Sequence, residues 1–152
     1  MAAAWNVPLN RLKADRRGAL ELLQVCAFFS PEPISRSLFT GVRGAPVPEA
    51  LAEAFSDPIR LNTAIREINR YSLAKIDHSR NTIQLHRLVQ AVLRDQLDHS
   101  QWDNMRHSVH LMLVNGDPGD PNNSANWPVY ADLLPHAINS RCLLYTSDAA
   151  DE

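Results

Sequence analysis

The sequence is poor in glycine and cysteine and has no long apolar run, and each shortage narrows what the chain can be. Two cysteines in 152 residues, Cys26 and Cys142, cannot build a disulfide framework or a zinc site. No basic-then-apolar leader opens the chain, so a reducing, cytoplasmic setting is expected. The longest apolar stretch, Val25-Cys26-Ala27-Phe28-Phe29, is core-sized and far short of the roughly 18–20 residues that a membrane span requires. No nucleophile-elbow pattern is present. Five glycines against ten prolines point to a chain cut into many short helices. What is there is globular: 45% hydrophobic, 21% charged, formal charge −2, and the length of one ordinary domain.

The order of elements can be read from periodicity. Residues 2–14 carry Trp5, Leu9 and Leu12 at near-helical spacing. Arg17 to Phe29 reads as a buried helix, apolar around most of its circumference, stopped by Ser30-Pro31-Glu32-Pro33. Ile34 to Thr40 is expected as a short helix, 41–48 as a loop, and Pro48 to Ala54 as another helical turn or two. Asp57-Pro58 is a helix start, with a carboxylate cap and proline at the first position. Ile59, Leu61, Ala64, Ile65 and Ile68 then carry helical periodicity to Arg70. Leu73–Asp77 and Thr82–Leu85 flank His78-Ser79-Arg80-Asn81 and read as a β-hairpin, with Ile76, Ile83 and Leu85 facing inward. Arg87–Leu97 places Leu88, Val89, Val92, Leu93 and Leu97 on one side of a helix. Beyond it come a helix through Trp102, Met105, Val109, Met112 and Leu113, a polar loop over 117–124, and a helix from Asn126 to about Ile138, ended or kinked by Pro135. The three tryptophans read as core or interhelix anchors.

The expected fold class is mainly α: a winged helix with a two-stranded β-hairpin wing over residues 1–98, followed over 99–141 by a helical hairpin that opens an α-solenoid. Residues 142–152, Cys-Leu-Leu-Tyr-Thr-Ser-Asp-Ala-Ala-Asp-Glu, resemble one reading frame of a transposon-based sequencing adapter and are expected to be a non-native tail. Without them the chain has 15 basic against 14 acidic residues. The natural part is then expected to be truncated after 141, and Met1-Ala2-Ala3-Ala4 reads equally as an internal start.

Three strings carry a resemblance. Ala27-Phe28-Phe29-Ser30-Pro31-Glu32-Pro33-Ile34, then Leu85-His86-Arg87-Leu88-Val89-Gln90-Ala91-Val92-Leu93-Arg94, then Trp127-Pro128-Val129-Tyr130-Ala131-Asp132-Leu133-Leu134-Pro135-His136 resemble bacterial, especially actinobacterial, NB-ARC proteins of the STAND class with C-terminal tetratricopeptide repeats. The resemblance implies a winged-helix piece that follows a nucleotide-binding domain and precedes the repeats. It implies no cofactor in this fragment, and ADP or ATP with Mg²⁺ in the intact parent. The implied partners are the parent's own nucleotide-binding domain and repeat array, with oligomerisation of the parent and no membrane contact. No G-x-x-x-x-G-K-[ST] occurs here, so the fragment is not expected to be an enzyme.

His86 is the candidate site residue. It falls where a wing strand hands over to a helix, and a helix N-terminus favours anions. The resemblance aligns Leu85-His86-Arg87 with the motif whose histidine touches the β-phosphate of ADP; Arg87 replaces the acidic third residue and is a possible auxiliary group. A histidine that only caps the helix is the alternative. Arg60, Arg66, Arg70 and Lys75 flank the elements that read DNA in winged-helix regulators, but Glu67 and Asp77 interleave, and nucleic acid is not the expected partner. A winged-helix transcription regulator and a plain interaction scaffold stand as alternatives. His99, His107 and His110 lack a completing ligand at suitable spacing and read as surface or packed side chains, with no metal expected. Cys26 reads as an inert core thiol.

Overall fold

A computed structural model describes residues 10–11, 17–40, 42 and 46–150, the backbone alone from 141 onward. Trp5, most of the expected 2–14 helix and part of the 41–48 loop lie outside the described residues. The elements run α1 (Arg17–Cys26), β1 (Ile34–Ser35), a 3-10 helix (Arg36–Phe39), α2 (Glu49–Ser56), α3 (Pro58–Arg70), β2 (Lys75–Asp77), β3 (Thr82–Gln84), α4 (Arg87–Asp95), α5 (His99–Asn115), a 3-10 turn (Ser124–Asn126) and α6 (Trp127–Ala150).

The sheet has three strands, not the two of the expected wing. β1 pairs antiparallel with β3, Ile34 opposite Ile83, and β2 lies on the other side of β3, Ile76 opposite Ile83. The expected helix over Ile34–Thr40 is thus a two-residue strand followed by one 3-10 turn. Pro33 disfavours a helix start before it, and Ile34 is wholly buried against the sheet partner. The helix–strand–helix–helix–strand–strand order, with the first strand beside the last, is a winged-helix-like layout in a mainly helical chain.

Local chemistry sets the element ends. Asp57 accepts from the Ile59 N–H at 2.9 Å and caps α3, with Pro58 at its first position. Asp98 and Gln101 form a reciprocal capping box that starts α5. In the wing turn, Asp77 accepts from the Ser79 hydroxyl and from the backbone N–H groups of Ser79 and Arg80, which lets Asn81 take a left-handed φ of 57°. Gly116 ends α5 against Leu38, where a Cβ has no room.

One apolar core runs through the whole unit. Leu22, Leu23, Phe28, Phe29, Ile34, Phe39, Leu51, Ile68, Ile83 and Leu93 are fully or almost fully buried, and Met105, Val109 and Met112 of α5 join the same cluster. Phe28 meets Trp102 edge-on at 4.9 Å and Phe29 meets Phe39 at 6.1 Å. Three expectations are corrected. Leu88 and Ile59 face solvent, because their helices bury narrower stripes than their apolar count suggests. Trp127 is 60% exposed, its indole N–H spent on the Pro121 carbonyl. Pro135 neither ends nor closes its helix, which continues through 142–150 of the adapter-like segment.

The segment between α1 and β1 is buried yet has no ladder to satisfy its carbonyls. Side chains do so instead. Gln90 Nε2 lies 3.0–3.4 Å from the carbonyls of Cys26, Phe29 and Ser30; Arg94 donates to Ala27, Asn139 to Phe28 and Gln84 to Pro31. His136 Nε2 donates to Pro33 at 2.9 Å. Every carbonyl from Cys26 to Pro31 thus accepts from a side chain on β3, α4 or α6. An unsatisfied buried carbonyl costs roughly 1–3 kcal/mol. Gln90→Ala is therefore expected to lower stability by about 2–4 kcal/mol, read from urea unfolding as a lower midpoint at unchanged slope. A negligible shift of that midpoint contradicts the assignment.

Candidate functional site

His86 sits where the sheet hands the chain to α4. Leu85 before it and Val89 after it are buried, which leaves His86 exposed on a fixed backbone with φ −69° and ψ 145°. Its Nδ1 accepts from the Leu88 N–H at 3.1 Å, so the side chain is the N-cap of α4. Its carbonyl accepts the first intrahelical bond, from the Gln90 N–H. The cap determines the tautomer: with Nδ1 accepting, a neutral ring carries its hydrogen on Nε2. Nε2 has no partner among the described residues, so it is a directed donor at the positive end of a helix dipole.

His86 lines an open cleft of about 500 Å³ between the Pro31–Glu32 turn, the 72–75 segment and the start of α4. Lys75 and Arg87 supply positive charge at this cleft and Glu32 negative charge; Gln84 spends its amide donor on Pro31. The expected pair, His86 and Arg87, is thus brought together with Lys75, which the sequence reading had placed only among basic residues flanking a DNA-type face. The arrangement offers one oriented N–H and two flexible cations, which suits an anion such as a phosphate.

The other candidates resolve differently. Arg60 pairs with Glu53 and lies 3.6 Å from Asp57, and Arg70 lies 3.8 Å from Glu67 and over the Tyr71 ring. These are exposed pairs on a solvated face. No group of three potential metal ligands forms among the described residues. His99 instead lies 3.4 Å from Asp103, and His110 is held below the usual imidazole range by burial, then by Arg106 and His107. Burial pushes the Cys26 thiol far up, as suits an inert core residue. Asp77 is held below the ordinary carboxylate range, first by the Ser79 hydroxyl. No described helix is long and apolar enough to cross a membrane.

Sequence reasoning missed His136. It is 1% exposed, and its Nδ1 accepts from the Ser30 N–H at 3.2 Å and faces the Ser30 hydroxyl at 3.0 Å. Expecting Pro135 to end the helix hid the signal, a polar stripe of His136, Asn139 and Ser140 at helical spacing.

Fold and cleft together define a winged-helix-like module with an anion-friendly corner. By sequence, residues 10–102 match the family described as Domain of unknown function (DUF7779), and the chain belongs to that family. No curated protein and no solved structure matches the chain. The match spans the winged-helix-like unit, His86 and its cleft, and stops before α6 and His136.

The cap itself is testable. His86→Ala removes it and is expected to cost about 1 kcal/mol of unfolding free energy, whereas His86→Ser, which retains a cap acceptor, stays within a few tenths. Equal loss in both variants contradicts the capping geometry.

Proposed function

We propose that this chain is the regulatory winged-helix module of a STAND or NB-ARC type signalling ATPase. It holds the parent's nucleotide-binding domain in an ADP-bound off state and links it to a tetratricopeptide sensor array. The observation that carries this reading is the His86 ring. Its cap bond to Leu88 leaves Nε2–H as a free, oriented donor beside a cleft that Lys75 and Arg87 also line. A diphosphate offered by a neighbouring domain meets there a hydrogen-bond donor, two cations and a helix N-terminus.

The residues present fit one edge of a phosphate site, not a whole one. No P-loop occurs in the sequence, so the loop that cradles phosphates and the Mg²⁺ ligand belong to the parent's nucleotide domain. His86, with Arg87 as auxiliary, reports on the nucleotide instead of reacting with it. Arg87 stands where the motif of the NB-ARC proteins it resembles has an acidic residue, so any contact there is cationic. The module is then one half of a two-state element: ADP favours the closed state in which the His86 contact forms, and exchange for ATP favours release and oligomerisation of the parent. The setting proposed is cytoplasmic. The ion pairs of Arg60 and Arg70 weigh against the transcription-regulator alternative, since those cations already have carboxylate neighbours.

The test uses the parent that carries both domains. A hydrogen bond to a charged group contributes about 1.5–3 kcal/mol, so His86→Ala and His86→Ser are both expected to weaken ADP retention roughly tenfold or more and to raise basal activity. The serine variant keeps the cap, so a defect there is not one of folding. Unchanged ADP affinity in both variants removes the sensor role.

A further inference from the structure

The final helix is built the wrong way round for a helix held by apolar packing. Trp127, Val129, Leu134 and Ile138 face outward, while the residues it buries are His136 and Ser140, with Asn139 half-buried beside them. Among the described side chains of the helix, Leu133 alone of the apolar ones packs against the core cluster. Its attachment to the 26–33 turn is a set of hydrogen bonds. His136 Nε2–H donates to the Pro33 carbonyl, His136 Nδ1 accepts from the Ser30 N–H with the Ser30 hydroxyl also at 3.0 Å, and Asn139 donates to the Phe28 carbonyl. The Phe29 ring closes the site edge-on, 5.2 Å from the imidazole.

One atom of this set has no substitute. Nδ1 must be an acceptor, because the Ser30 N–H has no other partner on the turn and its direction is fixed by the backbone. A proton on Nδ1 sets N–H against N–H inside a buried site. The Ser30 hydroxyl can rotate away, since its oxygen already accepts from the Glu32 N–H, but the backbone donor cannot.

We propose that His136 is a proton-operated latch: a proton on Nδ1 breaks its contact with Ser30 and releases α6 from the 26–33 turn while the core behind the turn stays folded. The release is local because, over the described residues 127–140, little apolar surface holds α6, whereas α1 to α5 share the continuous core. This is independent of the nucleotide reading of His86, which lies on a different element.

The sign follows from the surroundings. Burial holds the His136 imidazole below its ordinary value of 6.5. The Pro33 carbonyl, Glu32 on the turn and Asp132 one turn back on α6, the charged groups that face it, act in the opposite direction and are outweighed. A ring that is released, or in an unfolded chain, therefore takes up a proton more readily than the latched one. The latch is at full strength above pH 6.5 and weakens as the pH falls below that value.

Segment-resolved hydrogen exchange on the 152-residue chain, corrected for intrinsic rates and compared between pH 7.5 and 5.5, tests this. The amides of 128–140 are expected to lose protection several-fold at the lower pH while those of 58–70 keep theirs. His136→Gln is expected to flatten that response whatever its starting protection, and His99→Gln, which alters an exposed histidine at the start of α5, to leave it in place. Protection over 128–140 that is unchanged with pH, that falls in step with 58–70, or that still responds in His136→Gln overturns the proposal.

Discussion

The structure depends on side-chain hydrogen bonds given to the carbonyls of a stretch of backbone that belongs to no helix or sheet ladder. Between Cys26 and Pro33 the chain leaves a buried helix and enters a buried strand, and two prolines deprive it of donors. Phe28 and Phe29 hold residues 26–30 in the core, where water cannot satisfy their carbonyls. Leaving them bare is costly, and side chains from three other elements meet them. Three amides, a guanidinium and an imidazole meet that demand.

The same bonds place the candidate site. Gln90 and Arg94 lie one and two turns into α4, and both reach the turn. They fix the direction of α4 and with it the corner occupied by His86. Pro31 and Glu32 of the same segment form one wall of the His86 cleft. A change that loosens the turn therefore reaches the His86 corner.

Much of this was legible in the sequence. Asp57-Pro58 gave a helix start that the structure keeps, and the period-two runs on either side of the 78–81 turn gave the hairpin. The strand-to-helix position of His86 followed from the same two elements. What was not legible is long-range. β1 is two residues long, too short for any periodicity, and exists because Ile34 finds Ile83 some fifty positions away. Pro135 was expected to kink or end α6; the helix runs on past it to Ala150. The inward turn of His136 and Asn139 has no local cause, since it answers carbonyls more than a hundred residues earlier. The three strings that carry the resemblance meet around this turn.

Two imidazoles thus occupy mirrored roles, one exposed at the start of α4 and one buried beneath α6, and each is fixed by a backbone N–H that points at Nδ1. The nitrogen-15 shifts and ring-proton couplings of the histidines, recorded near pH 8, test that most directly. The account predicts that His86 and His136 each show an acceptor-type Nδ1 and a protonated Nε2 in one dominant tautomer. A hydrogen on Nδ1 of either ring, or tautomer averaging like that of a free imidazole, contradicts it.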